Sequence, residues 1–251
     1  MRRVFITGAS SGIGAALALF YARRGDRLAL LGRRRDALLA LRDSLPGSHR
    51  IYVADVRDRA ALHAAAQDFL AEGPVDIVIA SAGISAGTLT EELDDFQVFE
   101  SIVATNLNAT VATFEPFIAS MKQRGAGRLA GIASVAAVRG LPGAGAYSAS
   151  KAAVRTYCES LRVELSRTGI KVVTIAPGFI QTPMTAHNPY KMPFLMPVDR
   201  FAEQAAAAID KGVSYKVIPW QMAGVARLLG LVPDRLYDYF AFKRKRKPRV
   251  H

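Results

Sequence analysis

A tyrosine and a lysine spaced by one helical turn could together perform acid–base chemistry. Tyr147 and Lys151 lie four residues apart, so a helix would place both side chains on one face. The pKa of an unperturbed tyrosine lies near ~10, too high for an efficient base at neutral pH. A nearby lysine ammonium favours the phenolate and is expected to lower that pKa. The same spacing also occurs in surface helix pairs, so it needs support from other residues.

Ser134 and Asn106 could complete a group that transfers a proton to a carbonyl oxygen. Ser134 ends an apolar, strand-like run upstream of Tyr147, and its hydroxyl could hydrogen-bond and orient a substrate oxygen. Asn106 lies inside a long helix-like segment, where asparagine is unfavourable, so we expect it to have a role such as holding a water molecule. With Tyr147 and Lys151, these two residues make up the candidate catalytic set.

A glycine-rich turn between the first strand-like run and the first helix-like segment could cradle phosphates. Gly8 permits a tight turn, Gly12 lets the backbone approach a pyrophosphate, and Gly14 lets the helix pack closely on the sheet. Phosphates there would face free N–H groups and the positive end of the helix dipole. An ordinary loop is the alternative, but the position favours nucleotide binding. Further contacts are expected from Ser10, Ser11 and Ile13.

The end of the second strand-like run predicts which dinucleotide binds. An NAD site usually has an acidic residue there, whereas this chain has Gly32 followed by Arg33, Arg34 and Arg35. A guanidinium can form two hydrogen bonds to a 2′-phosphate, and the dipole disfavours arginines at a helix start. A solvated basic helix start is the alternative. We predict NADP(H), held by Arg33 and Arg34. The other expected contacts are Asp55, which follows the third strand-like run and could meet the adenine ring, and Val56.

Short apolar runs alternate with longer segments of helical periodicity, which indicates a parallel sheet covered by helices on both faces. The strand candidates are Arg3–Thr7, Arg27–Gly32, Arg50–Ala54, Asp76–Ala80, Gly127–Ala133, Lys171–Ala176 and Tyr215–Ile218. The helix candidates are Ile13–Arg24, Asp36–Ser44, Arg59–Glu72, Phe96–Met121, Ala146–Arg167 and Phe201–Lys211. The expected fold is α/β: a three-layer α/β/α, Rossmann-type, doubly wound parallel sheet of about seven strands.

Composition limits the class of protein. The 251 residues suit one sizeable domain, and a single cysteine, Cys158, fits a reducing, cytoplasmic compartment. Six basic residues between Lys243 and Arg249 carry half of the net charge of +12, so we expect no folded nucleic-acid surface. No apolar run approaches the ~20 residues that span a membrane. The four histidines lack metal-ligand spacing, so no metal site is expected.

The chain divides into a catalytic domain, residues 1–220, and a C-terminal extension, residues 221–251. Apolar residues recur with helical spacing after Trp220, and the basic residues follow them. This pattern is typical of segments that bind a membrane surface, here the cytoplasmic face. Packing of the extension on the core or on another subunit is the alternative.

A long, apolar loop between the last two strand candidates could bind substrate. Gly178–Arg200 is rich in methionine, phenylalanine and proline, and loops of this length are often lids or binding loops. We therefore predict a hydrophobic carbonyl or alcohol substrate. The alternative is that these side chains fill the core beneath the loop.

Taken in order and spacing, these motifs resemble the short-chain dehydrogenase/reductase family over about Arg2–Pro219. The chain departs from the family in one motif, since the family usually has Asn-Ala-Gly where this chain has Ser81-Ala82-Gly83. The turn and its glycine remain. The matching motifs are Thr7–Gly14, Asp55, Ser81-Ala82-Gly83, Asn106, Ser134, Tyr147–Lys151 and Pro177-Gly178.

The resemblance implies a role for each matched residue. Tyr147 would be the general acid/base, and Lys151 would bond the nicotinamide ribose and tune Tyr147. Ser134 would stabilise the substrate, Asn106 would support a water relay to Lys151, and Thr182 would contact the nicotinamide carboxamide. Helix-mediated homodimers or homotetramers are also implied. The further cofactor contacts would be Ser81, Ala82, Gly83, Tyr147, Lys151, Pro177, Gly178 and Ile180.

We therefore expect an NADP(H)-dependent oxidoreductase that interconverts a carbonyl and a secondary alcohol, with the cofactor carrying the hydride. The alternative is a nucleotide-bound regulatory or scaffold protein that has kept the fold without turnover. The presence of Ser134, Tyr147 and Lys151 together favours the enzyme.

Overall fold

The computed structural model describes residues 1–186, 188–242 and 246–249 of the 251-residue chain. His187, His251 and Lys243–Lys245 of the expected basic tail lie outside the described residues. Within the described residues, seven strands form one sheet. They are β1 (Arg3–Thr7), β2 (Arg27–Gly32), β3 (Arg50–Val53), β4 (Ile77–Ala80), β5 (Gly127–Ile132), β6 (Ile170–Pro177) and β7 (Tyr215–Ile218).

Helices connect the strands and match the predicted helical segments to within a few residues, with one interruption. Ala104–Asn108 form a π-helical turn that splits the predicted long central helix into two. The helices are α1 (Gly12–Arg23), α2 (Arg35–Ser44), α3 (Arg59–Ala71), α4 (Asp95–Val103), α5 (Ala109–Arg124), α6 (Gly145–Glu164), α7 (Val198–Lys211), α8 (Gln221–Leu231) and α9 (Asp234–Ala241).

The sheet is parallel throughout, with the strand order β3-β2-β1-β4-β5-β6-β7. This order confirms the predicted doubly wound, Rossmann-type α/β/α architecture. From β1 the chain adds β2 and β3 on one side, and it then adds β4 to β7 on the other side, so the direction reverses between β1 and β4. In such sheets a crevice opens beyond the carboxyl ends of the strands at this switch point. The glycine-rich turn follows β1, and Ser81-Ala82-Gly83 follows β4, so both motifs border that crevice.

Both faces of the sheet are covered by apolar helix faces. On one face, Leu17 of α1 and Phe201 of α7 are fully buried in the cluster that includes alternate residues of β1. On the other face, the Phe5 ring lies 6.3 Å from Phe69 of α3 and 5.0 Å from Phe117 of α5, between centroids. Burying each such ring contributes about 1.5–3 kcal/mol to folding, so these contacts stabilise the packing of α3 and α5 on β1.

The C-terminal extension packs on the core through the loop that follows β5. The Arg139 guanidinium donates to the Val232 carbonyl (2.9 Å) and to the Asp234 carboxylate (2.9 Å), which fixes the junction between α8 and α9. Residues 246–249 then return to the core. Among the described residues, no helix combines the length and apolar character needed to cross a bilayer.

Candidate active site

The glycine-rich turn runs against the turn that follows β4. Gly8 has a left-handed φ of +67°, and a Cβ there would lie 2.7 Å from the Ala82 Cα. A Cβ on Gly14 would collide with the Gly8 carbonyl oxygen. Thr7 ties the two turns together, because its hydroxyl donates to the Ile79 carbonyl (3.5 Å) and accepts from the Ala82 N–H (3.4 Å). The result is a tight turn whose glycines leave backbone N–H groups open at a helix N-terminus, which favours phosphate binding.

A cavity of about 440 Å³ lies at the carboxyl ends of the strands. Ser134, Tyr147 and Lys151 line it together with every cofactor-binding residue that the sequence predicted. The wall runs from the end of β2 to the loop after β6, which suits an extended dinucleotide. The predicted cofactor-binding residues on this wall are Gly8, Ser10, Ser11, Gly12, Ile13, Gly14, Arg33, Arg34, Asp55, Val56, Ser81, Ala82, Gly83, Tyr147, Lys151, Pro177, Gly178, Ile180 and Thr182.

Several further residues line the cavity that no sequence motif had marked as site residues. Four of them stand beside a motif residue at a strand end, one precedes Asn106 in the π-helical turn, and three belong to the loop after β6. Extending each motif by one to three residues would have found them. They are Ala54, Ile84, Thr105, Ile132, Ala133, Pro183, Met184 and Thr185.

Two arginines give the β2 end of the cavity a positive charge. The Arg34 guanidinium donates to the carbonyl and hydroxyl oxygens of Ser10 (3.0 and 3.2 Å), which holds it against the glycine-rich turn. Arg33 is exposed, and its guanidinium lies 3.9 Å from the Asp55 carboxylate. Asp55 bonds mainly to the guanidinium of Arg57 (2.7 Å), and this hydrogen bond lowers the pKa of the Asp55 carboxyl. Arg57 was not among the residues predicted from the sequence.

Tyr147 stands in the first half of α6, with its side chain on the cavity wall. Burial raises the pKa of its phenol, and a hydrogen bond with Ser134 opposes that rise. The sequence predicted a lowered pKa caused by Lys151, and the structure corrects that expectation. Desolvation outweighs this hydrogen bond, so the pKa of the phenol stays above its ordinary value.

Lys151 lies one turn further along α6 and is buried. Its ammonium donates to the Ile132 carbonyl (2.8 Å) and lies 5.9 Å from the centroid of the Tyr147 ring. Burial lowers the pKa of Lys151 to about 8, so most of the ammonium keeps its charge at neutral pH. A Cβ built on Gly83 would lie 3.4 Å from the Lys151 nitrogen, so the turn after β4 passes directly beside it.

Asn106 lies in the π-helical turn and is fully buried behind the cavity wall. Its amide nitrogen donates to the Ile84 carbonyl (3.0 Å) and the Ser150 hydroxyl (2.9 Å), and its amide oxygen accepts from the Ile84 N–H (2.8 Å). Both amide hydrogens are thus used on protein atoms. The structure therefore shows Asn106 holding the backbone after β4 to the residue that precedes Lys151, rather than projecting into the cavity.

The loop after β6 carries both buried and exposed apolar side chains. Ile180 and Met196 are buried and form an isolated bridge that closes the base of the loop. Met184 lines the cavity and is 42% exposed, and Phe194 is 50% exposed. The Phe179 and Tyr190 rings lie 6.3 Å apart. Part of the loop thus fills the core, as the alternative held, and part remains available to a ligand.

The structure shows no metal centre in the chain that it describes. Among the described residues, no group of three or more histidine, cysteine, aspartate or glutamate side chains could hold a metal ion.

Comparisons with known proteins agree with this fold and site. Residues 2–192 match the family model described as short chain dehydrogenase. An uncharacterized oxidoreductase of Myxococcus xanthus is 38% identical over 241 residues, covering 94% of this chain and 95% of that protein. An uncharacterized oxidoreductase of Mycobacterium tuberculosis is 36% identical over 252 residues, covering 96% of this chain and 97% of that protein.

Solved structures of similar proteins superpose well. A 3-ketoacyl-(acyl-carrier-protein) reductase from Brucella melitensis, complexed with NADH, is 26% identical with a TM-score of 0.80, covering 86% of this chain and 96% of that one. Levodione reductase is 26% identical with a TM-score of 0.79, and the match covers 88% of this chain and 98% of that one. The chain belongs to the short-chain dehydrogenase family. It is therefore an oxidoreductase of the class that acts on CH–OH and carbonyl groups with a nicotinamide cofactor.

Proposed function

We propose that this protein uses NADP(H) to interconvert a hydrophobic carbonyl compound and its secondary alcohol, with Tyr147 as general acid and base. The observation that carries the proposal is the single cavity shared by Ser134, Tyr147, Lys151 and the glycine-rich turn. A catalytic set and a dinucleotide cradle on one wall would bring a substrate oxygen and a nicotinamide together.

The side chains suit proton transfer during carbonyl reduction. The bound nicotinamide would supply the hydride. The Tyr147 phenol carries its proton at neutral pH, because the ordinary tyrosine pKa is already ~10 and burial raises it further, so the hydroxyl can donate that proton to a substrate oxygen that gains negative charge. The Lys151 ammonium, 5.9 Å from the Tyr147 ring centroid, would stabilise the phenolate left behind. The Ser134 hydroxyl, which bonds Tyr147, could orient the same oxygen.

The preference for NADP(H) rests on the charge at the end of β2. Gly32 stands where a carboxylate would bind a ribose 2′-hydroxyl, and Arg33 and Arg34 line the cavity beside it. Arg34 is held against Ser10, and Arg33 is exposed, so both guanidinium groups could reach a 2′-phosphate.

We expect the protein to oxidise NADPH much faster than NADH when it is given apolar ketones or aldehydes. The Arg33→Ala/Arg34→Ala variant should lose roughly 10²–10⁴-fold in kcat/KM with NADPH and change little with NADH, because it removes two charged donors and each charged hydrogen bond contributes about 1.5–3 kcal/mol. The measurement is loss of absorbance at the nicotinamide band across a panel of apolar and polar carbonyl compounds.

Arg35→Ala is the matched control, because Arg35 is the third arginine of the run and does not line the cavity. It should keep the preference of the unmodified protein. Equal use of NADH by the unmodified protein would reject the NADP assignment, and preference for small polar sugars would reject the hydrophobic substrate. Absence of turnover with every compound would favour the nucleotide-bound regulatory or scaffold protein.

The exposed apolar side chains of the C-terminal extension support a second proposal, peripheral binding to the cytoplasmic face of a membrane. Leu228 is 66% exposed and Leu231 82%, on the same helix. Apolar side chains beside basic residues favour anionic lipid surfaces.

We expect the protein to co-sediment with vesicles of anionic phospholipid. The Leu228→Ser/Leu231→Ser variant should reduce this binding. Val163→Ser, which replaces an exposed apolar side chain on α6, should keep it. Equal sedimentation of all three proteins would end this proposal.

We also propose that the protein forms homodimers or homotetramers through its helices. The stacked rings of Phe96 and Phe99 on α4, with centroids 6.4 Å apart, support this proposal because both are exposed. Exposed aromatic pairs of this kind are favourable interface anchors.

A further inference from the structure

The segment Arg246–Arg249, which we call the C-terminal strap, crosses the turn that follows β4. The Lys247 ammonium donates to the Ser85 hydroxyl (2.8 Å), and the Gly87 N–H donates to the Pro248 carbonyl (2.9 Å). A Cβ on Gly87 would collide with the Lys247 and Pro248 carbonyl oxygens. The strap therefore lies on the backbone of residues 85–87, about 160 residues away along the chain.

Two carboxylates hold the far end of the strap. The Arg249 guanidinium lies 2.9 Å from the Asp95 carboxylate and 3.0 Å from that of Glu92. Asp95 is 2% exposed, and the same carboxylate oxygen also accepts from the Leu89 N–H (2.8 Å). A buried carboxylate is costly unless it is paired and hydrogen-bonded. Arg249 thus stabilises the charge that fixes Leu89.

The residues under the strap form one edge of the site. We call residues 85–95 the rim segment. It begins directly after Ile84, which lines the cavity and is held by Asn106. The Thr88 N–H donates to the Gly143 carbonyl (3.0 Å), in the loop that leads into α6 four residues before Tyr147. The rim segment therefore joins the wall after β4 to the approach to the catalytic tyrosine.

An open cavity of about 570 Å³ adjoins this edge. Its wall is formed by the rim segment, by the loop that precedes α6, and by helix α9. The shape of the cavity therefore depends on the position of all three. The residues that line it include Leu89, Leu141, Pro142, Tyr237 and Phe242.

We propose that the C-terminal strap orders the rim segment and thereby positions the wall against which the substrate binds, with Arg249 as a positioning residue. The part of this proposal that concerns substrate rests on the function proposed above. Among the described residues, none of the strap lines the cavity that holds the predicted cofactor contacts. Its loss should raise the KM for the carbonyl compound and leave the KM for NADPH and kcat nearly unchanged.

The first test is amide hydrogen exchange in the protein without cofactor or substrate. Removal of residues 246–251 should accelerate exchange at Gly87 and Leu89 by about tenfold or more. The Gly87 amide loses its acceptor, the Pro248 carbonyl, and the Asp95 carboxylate that accepts from the Leu89 amide loses its ion pair with Arg249. Arg249→Gln should accelerate Leu89, and Arg249→Lys should restore part of the protection. Arg42→Gln removes one cation from an exposed ion pair with Asp43 on α2 and should change neither amide.

A second variant displaces the strap and keeps every one of its charges. Gly87→Ala places a methyl group against the strap carbonyls, so it should accelerate exchange in the rim segment as truncation does. Steady-state kinetics then tests the link to substrate, where we expect a rise of about five- to twentyfold in the KM for an apolar ketone in all three disruptive variants.

The two measurements separate the two proposals. Unchanged exchange at Gly87 and Leu89 after truncation would overturn the proposal that the strap orders the rim segment, whatever the activity of the protein. Faster exchange with an unchanged KM for the ketone would overturn its role in positioning substrate. A protein that reduces no carbonyl compound would refute the proposed function, and exchange would still decide whether the strap orders the rim.

Discussion

Replacing Tyr147 with phenylalanine is expected to lower kcat by roughly 10²–10⁴-fold while NADPH still binds, because general acid catalysis contributes about that factor. The change removes one oxygen and keeps the ring that lines the cavity. No other hydroxyl of the set replaces it readily, since a serine hydroxyl such as that of Ser134 is a much weaker acid than a phenol. The measurements are kcat with an apolar ketone and NADPH affinity from nucleotide fluorescence.

Tyr157→Phe is the matched control on the same helix. The Tyr157 ring stacks with Phe114, with centroids 6.5 Å apart, on the side of α6 that packs against the core. It does not line the cavity, so the control should keep normal turnover. If Tyr147→Phe retained near-normal kcat, or lost NADPH binding as severely as turnover, the assignment of Tyr147 as the proton donor would be wrong.

Replacing Gly14 with alanine is expected to weaken NADPH binding by at least about 100-fold and to destabilise the fold by about 1–3 kcal/mol. The new methyl group would collide with the Gly8 carbonyl, so α1 would have to move away from the glycine-rich turn. That movement displaces the N-terminal N–H groups from the pyrophosphate. Nucleotide fluorescence and urea unfolding measure the two effects.

Gly224→Ala is the control for Gly14→Ala. It tests whether the loss of NADPH affinity is specific to the glycine-rich turn or follows from replacing any helical glycine. Gly224 lies inside α8, and apart from its chain neighbours and the backbone of its own helix no atom lies within 4 Å of a Cβ built there. Alanine should therefore stabilise the protein by about 0.5–1 kcal/mol and leave NADPH binding unchanged. Normal NADPH affinity in Gly14→Ala would contradict the proposed cradle.

The periodicity of the sequence predicted the fold well because a parallel sheet is buried on both faces. Its strands therefore appear as continuous apolar runs, and β1, β2 and β7 begin and end where predicted. The glycine-rich turn and the polar residues at strand ends could also be recognised from the sequence, because each group lies within a short stretch of chain.

The sequence could not reveal features that depend on distant partners. The strap joins Lys247 to Ser85, and no local pattern records a contact across 162 positions. The six basic residues were interpreted as a lipid-binding tail, whereas Lys247 and Arg249 bond within the chain. The pKa of Tyr147 was predicted with the wrong sign, because desolvation depends on the packed surroundings of the hydroxyl.

The parallel sheet also has a consequence for the order of folding. Within the described residues, none of its neighbouring strands can pair as a hairpin, and β1 pairs with β4 through partners such as Val4 and Ile77. Contacts of such long sequence separation form slowly, because the loop entropy is lost before the pairing stabilises the chain. The nucleotide crevice opens between these two strands, so affinity for the dinucleotide should emerge only at a late stage of folding.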